Sequence, residues 1–180
     1  MEEVVVKGLA FEPYLKEEEI MEQVKRVAQE IKRDLETQAP IFLCVLNGAF
    51  IFAADLFSEC NLPESEITFI RFKSYDGTQS TGVVKEIMGL NESIEGREVI
   101  IIEDIVDTGV TAFQLRNRLQ AMKPKSVRMA SLLLKPESLE VGNPPEYVGF
   151  KIPTKFILGY GLDLDGQGRN LRDIYVLRHD

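Results

Sequence analysis

Hydrophobic positions along the chain change period several times, and each change marks an element. After VVV at 4–6, which reads as a short extended start, Ile20, Val24, Val27, Ile31 and Leu35 recur at three- and four-residue intervals. That spacing predicts an amphipathic helix over 17–36 with Glu, Lys and Arg on its outer face. Glu17, Glu18 and Glu19 crowd its first turn, where the helix dipole favours acids. The pattern then becomes uninterrupted. IFLCVL (41–46) reads as a buried strand, followed by an Asn-Gly turn and an apolar helix, AFIFAADLFSE (49–59). Further strands are predicted at ITFIRF (67–72), VIII (99–102), SVRMASLLL (126–134) and near 156–160 and 174–178, with a helix over 111–122. Strands alternating with helices, several of them buried on both faces, predict an α/β fold with a largely parallel sheet. One stretch, SYDGTQSTGVVKEIMG (74–89), is long, polar and glycine-containing. It reads as a mobile cover, with a plain β-hairpin excursion as the alternative.

Composition narrows the picture only a little. A chain of 180 residues, 44% hydrophobic and 28% charged, suits one soluble domain over 1–180. Twenty-one basic against 29 acidic residues give −8, which argues against nucleic acid or an anionic membrane as partner. A local cationic pocket for a phosphorylated small molecule stays open. No N-terminal apolar segment resembles a signal peptide and no apolar run approaches membrane-spanning length, so a cytoplasmic protein is expected. Cys44 and Cys60 fit neither a disulfide framework nor a metal site. The sole histidine, His179, is next to last, which disfavours chemistry that needs a central imidazole.

The run VIIIEDIVDTGVT (99–111) poses a conflict, because the most apolar stretch leads directly into Glu103, Asp104 and Asp107. Carboxylates are seldom buried without partners. Ligands of open α/β sheets bind beyond the carboxyl ends of the strands, which puts Asn47-Gly48, Glu103 to Thr111, Lys135 and Asp163 on one rim. The strand is expected to end at Ile102, so that Glu103 and Asp104 emerge at that rim. Gly109 permits a tight turn, and the helix start with the Thr108 and Thr111 hydroxyls forms a cradle for a phosphate monoester. Acids beside such a cradle suit ribose hydroxyls and a Mg²⁺ ion. Two plainer readings compete: Asp107-Thr108 as a helix N-cap, and Glu103 and Asp104 as an exposed strand end.

This run closely resembles the 5-phosphoribosyl-1-diphosphate (PRPP) binding motif of type I phosphoribosyltransferases. The resemblance covers nearly the whole chain. VLNGAFIFAADL (45–56) looks like the pyrophosphate loop and its helix, and IRFKSYDGTQSTG (70–82) like the flexible catalytic loop. LLLK (132–135) and KFILGYGLDLDGQGRNL (155–171) look like the purine-binding and C-terminal segments of the branch that takes 6-oxopurines. It implies the type I phosphoribosyltransferase fold, with a small hood from the N- and C-terminal segments and a mobile loop at about 74–89.

By that resemblance, Glu103 and Asp104 bind the ribose hydroxyls directly or through Mg²⁺. Asp107, Thr108, Gly109, Val110 and Thr111 hold the 5′-phosphate. Asp107 also lies near purine N7 as the general acid/base, and Lys135 donates to O6. Phe156 stacks on the ring, and the Ile157 backbone meets the 2-position. Leu46, Asn47, Gly48 and Arg169 bind pyrophosphate, with Leu46-Asn47 a cis peptide, and Asp163 supports a second Mg²⁺. Ser74 and Tyr75 close over the site. The implied reaction joins PRPP to a 6-oxopurine, and the implied assembly is a homodimer or homotetramer. A nucleic-acid-binding regulator on the same fold and a xanthine-preferring enzyme are the alternatives. Two positions depart from the family pattern: Asn47, where many relatives carry Lys, and Val110, where Lys or Leu is common.

Overall fold

A computed structural model describes residues 2–73, 85–90 and 92–178. Its centre is a sheet built on β3 (Ile41–Leu46), β4 (Glu66–Lys73), β5 (Lys85–Met88), β6 (Glu98–Val106), β7 (Ser126–Leu134) and β8 (Tyr147–Lys151). The order is β5-β4-β3-β6-β7-β8, parallel throughout except for the antiparallel edge strand β5. Helix α1 (Glu17–Leu35) buries Ile20, Val24, Val27, Ala28, Ile31 and Leu35. It shares one face of the sheet with α2 (Phe50–Cys60), packed on Phe42, Cys44, Ile100 and Ile102. Helix α3 (Val110–Gln120) covers the other face over Leu43, Ile101 and Met129. Alternate residues of β3 and β6 therefore feed two separate cores, which is why both strands read as unbroken apolar runs.

The chain leaves β3 through α2 in one direction and β6 through α3 in the other. The cleft between β3 and β6 is thus the switch point of the sheet, where open α/β folds place ligands. The two strands pair only as far as Cys44 and Ile102. Beyond that they part, while β6 stays paired to β7 up to Val106 and Leu134.

A second, antiparallel sheet of order β1-β2-β10-β9 forms a hood from the two ends of the chain: β1 (Val4–Val6), β2 (Leu9–Leu15), β9 (Ile157–Leu158) and β10 (Ile174–Leu177). Its core is Phe11, Leu158 and Tyr175. The Asp173 carboxylate accepts the Glu17 backbone N–H at 2.8 Å, so the hood caps the first turn of α1. Glu19 completes the cap by accepting the Lys16 N–H at 2.9 Å.

Several expectations change here. Strands β2 and β8 were not expected, and the strand expected near 156–160 is only Ile157–Leu158. Of the stretch from 74 to 89, Lys85–Met88 pairs antiparallel with β4, and the mobile cover expected there falls on 74–84, outside the described residues. Ser74 and Tyr75 lie outside the described residues. Most consequentially, β6 does not stop at Ile102. It runs on through Glu103 and Asp104, because β7 supplies a paired neighbour along its full length.

Candidate active site

The acids of β6 are therefore inside a strand rather than past its end. Glu103 is 7% exposed and faces a concavity of about 120 Å³ that Val106, Asp107, Thr108, Gly109 and Thr111 also line. Burial, then the charge of Asp104, raises the Glu103 carboxyl well above the usual carboxylate range. Among the described residues no cation pairs with it. Asp104 turns the other way, as successive strand residues must. Its Oδ1 accepts the Ile105 N–H at 2.7 Å, and its Oδ2 occupies the space where a Cβ on Gly48 would stand, 1.5 Å from that ideal position. Burial pushes Asp104 up to about 6; its own backbone hydrogen bonds and Arg169 oppose the rise, while Asp163 adds to it.

A raised carboxyl pKa means that the folded protein keeps a proton which the unfolded chain has lost. Stability from this group is complete at low pH and falls as pH rises through about 6. Asp104→Asn is accordingly expected to stabilise the ligand-free protein at pH 8 by about 1–2 kcal/mol, or about 3–6 °C, and not at pH 4. Thermal melts at the two pH values check this; equal shifts at both would contradict it.

The cradle forms where β6 meets α3. Gly109 is the N-cap residue at φ +83°, and no side chain caps the helix. The first-turn amides are thus left to a ligand, which removes the N-cap reading of Asp107-Thr108. The Thr108 carbonyl accepts the Glu140 and Val141 N–H groups, and a Cβ on Gly109 would lie 2.3 Å from the Val141 oxygen, so the turn is pinned from behind. Val110 is exposed at the first position of the helix.

Asp107 and Lys135 meet beside the cradle, Oδ2 to Nζ at 2.8 Å. Lys135 is 8% exposed, far from the surface lysine that its type would suggest, and its N–H donates to the Val106 carbonyl at 3.0 Å. The turn after it is held by a 2.7 Å contact between the Ser138 and Thr154 hydroxyls. That contact brings in the segment leading to Phe156, whose ring is 45% exposed and lies 6.2 Å from Phe11. Ile157 is buried at the start of β9.

The third part lies between β3 and the hood. The Leu46-Asn47 peptide is cis, as expected. Asn47 is exposed, and Gly48 is backed by Gly161, whose ideal Cβ would lie 2.1 Å from the Gly48 oxygen. The hood loop is anchored by Tyr160, which donates to Asp55 of α2 at 2.5 Å. Arg169 pairs with Asp163 at 2.8 Å and donates to the Gly161 carbonyl at 2.7 Å. The contacts of Gly48, Tyr160 and Gly161 were not anticipated, although the glycines at 159, 161, 166 and 168 mark a segment of tight turns.

Residues 12–165 match the phosphoribosyl transferase domain family. The chain belongs to this family. It is 37% identical over 174 residues to a hypoxanthine-guanine phosphoribosyltransferase of Aquifex aeolicus, covering 96% of this chain and 97% of that one. The corresponding enzyme of Rattus norvegicus is 39% identical over 168 residues, 88% of this chain and 77% of its own. Among solved structures, a hypoxanthine-guanine phosphoribosyltransferase of Bacillus anthracis superposes with a TM-score of 0.85 at 38% identity, over 93% of this chain and 97% of that one. A Trypanosoma cruzi hypoxanthine phosphoribosyl transferase gives 0.88 at 36%, over 97% and 95%. The fold is thus the one the motif implied, a phosphoribosyltransferase α/β sheet flanked by helices.

Proposed function

We propose that the protein is a purine-salvage transferase that moves the 5-phosphoribosyl group of PRPP to hypoxanthine or guanine, forming IMP or GMP and pyrophosphate. One observation carries the choice of base: the Asp107–Lys135 pair at the mouth of the cradle. A 6-oxopurine presents N7 and O6 side by side on one edge. A carboxylate and an ammonium 2.8 Å apart match those two positions, one managing a proton at N7 and the other donating to O6. An adenine 6-amino group would instead face the lysine donor to donor.

In this reading the α3 amides with Thr108 and Thr111 hold the 5′-phosphate, and Gly109 and Val110 contribute backbone. Glu103 and Asp104 face the ribose hydroxyls from either side of β6. Phe156 stacks on the base and the Ile157 backbone meets its 2-position. Leu46, Asn47, Gly48 and Arg169 receive pyrophosphate, and Ser74 and Tyr75 close over the reacting centre to exclude water.

The acids also suit Mg²⁺. Glu103 is buried without a cation, and among the described residues no three acids stand close enough to cage a metal unaided. Mg²⁺ usually takes one or two carboxylates and completes its shell from substrate. Glu103 and Asp104 are the residues that would hold one ion, and Asp163 a second on the pyrophosphate side. Bound there, it would supply charge neutralisation for the departing pyrophosphate.

The single domain over 1–180, a cytoplasmic location and assembly as a dimer or tetramer belong to the same proposal. No helix among the described residues is long and apolar enough to cross a membrane. Both thiols are buried, and burial pushes each up to about 12, which suits inert core cysteines in a reducing compartment.

The test is direct. Protein, Mg²⁺ and PRPP are mixed with hypoxanthine, guanine, xanthine or adenine, and nucleotide formation is followed. Turnover of hypoxanthine and guanine with none of adenine is expected. Failure with every 6-oxopurine would overturn the proposal, and a preference for xanthine would redirect it.

A further inference from the structure

Helix α3 carries the cradle on its first turn but grips the sheet lightly. It buries Ala112, Leu115 and Leu119, half as many residues as α1 does. Little apolar contact therefore fixes the direction of its axis. A second restraint comes from the segment 139–146, which lines none of the cradle. Its Glu140 and Val141 amides hold the Thr108 carbonyl, and Leu139 lies behind Gly109. Gly142 passes beside the Phe113 ring, where an added Cβ would stand 3.3 Å from Cδ2. Glu146 then receives Arg116 through both oxygens, Nη1 to Oε1 at 2.9 Å and Nη2 to Oε2 at 2.7 Å. The same Oε2 accepts the Met129 N–H of β7 at 2.7 Å. Burial would raise the Glu146 carboxyl, but the hydrogen bonds and charge of Arg116, with the Met129 N–H, hold it below the usual carboxylate range.

We infer that Arg116 and Glu146 are positioning residues for the cradle: the pair sets the axis of α3, and the axis aims the first-turn amides at the 5′-phosphate. The inference rests on the reading of this cradle as the 5′-phosphate site. Arg116 stands six residues beyond Val110, about 9 Å along the axis at about 1.5 Å per residue. A helix held at its first turn alone can pivot about that turn. Anchored again at Arg116, it takes its direction from β7 through Glu146. The planar guanidinium matters here, because two parallel hydrogen bonds fix orientation as well as distance. The 5′-phosphate takes no part in bond making at C1′, so its contacts are equally strong before and at the transition state. Loss of aim should then weaken binding and spare the chemical step.

Arg116→Met keeps an apolar stem and removes the fork. Its IMP affinity is expected to fall about tenfold, while inosine, which lacks the phosphate, stays within about twofold of wild type. KM for PRPP should rise by a similar factor, with kcat within about twofold. Glu146→Gln keeps an oxygen for the Met129 N–H and should raise KM for PRPP about three- to fivefold. A pair that only stabilised the fold would behave differently. Its loss would lower the folded fraction and hence the apparent kcat, and leave KM where it was. Arg97→Met is the control, since it removes a pair with Glu66, 2.8 Å apart, at the opposite end of the sheet. Its KM for PRPP should not move.

Calorimetry with IMP and with inosine, and initial rates over a range of PRPP, read these outcomes. Equal losses for IMP and inosine, an unchanged KM in both Arg116→Met and Glu146→Gln, or an equal rise in Arg97→Met would overturn the assignment. If wild type binds IMP no better than inosine, the reading of the cradle as a phosphate site fails instead. Should Arg116→Met not fold, Glu146→Gln decides alone, because it keeps the acceptor that Met129 needs.

Discussion

Asp107→Asn is expected to lower kcat by about 10²–10⁴ while PRPP affinity stays within about threefold. The separation follows from where the side chain stands. The cradle is made of α3 amides and threonine hydroxyls, and Asn at position 107 leaves all of these in place. It keeps an oxygen near Lys135 Nζ but cannot take up a proton from the base. Steady-state rates with hypoxanthine, together with PRPP binding by calorimetry, make the comparison. Normal turnover would reduce Asp107 to an ion-pair partner of Lys135 and return the role of general base to another group.

Gly48→Ala should be nearly as damaging although residue 48 contributes no side chain. Its new Cβ would fall 1.5 Å from Asp104 Oδ2 and 2.6 Å from Cγ, so the carboxylate must vacate its position. A displacement on the order of 1 Å at a reacting site can cost about 10²-fold. We expect kcat/KM for PRPP to fall by at least about 100-fold in this variant, with far-UV circular dichroism unchanged. Wild-type kinetics would show that the present placement of Asp104 is immaterial to the reaction.

What the sequence made legible, and what it hid, follows from range. The period of Ile20, Val24, Val27, Ile31 and Leu35 is a local signal, and the helix it marks is present at Glu17–Leu35. Strand β2 was obscured by Pro13, which lacks the donor a ladder needs. The structure accommodates it beside an irregularity in register with β10, where Pro13 faces Tyr175. Strand β8 is short, only partly buried and interrupted by Gly149, so it carries little periodic signal. The end of β6 was misplaced for a more instructive reason. Acids normally terminate a buried strand, and here they continue one. Conflicts between a local rule and the fold are expected where chemistry is done. The cradle and Lys135 were readable because motif and strand end coincide there. The partner of Arg169 was not: Asp163 and Asp173 flank it in sequence, six residues before and four after. The structure gives Asp173 to α1, 156 residues away in sequence, and a contact of that range leaves no local trace.

The hood's construction from both ends of the chain also fixes an order of events. The strands of the central sheet lie between Ile41 and Lys151, and their parallel pairings can form as those residues emerge during synthesis. β2 must wait for β10, whose residues 174–177 follow every strand of the central sheet. A nascent chain that has reached only residue 155 already carries the acids of β6, the cradle and Lys135, but not Phe156, Asp163 or Arg169. The hood therefore closes over the β3–β6 cleft only after the central sheet has had time to fold, once β10 docks on β2.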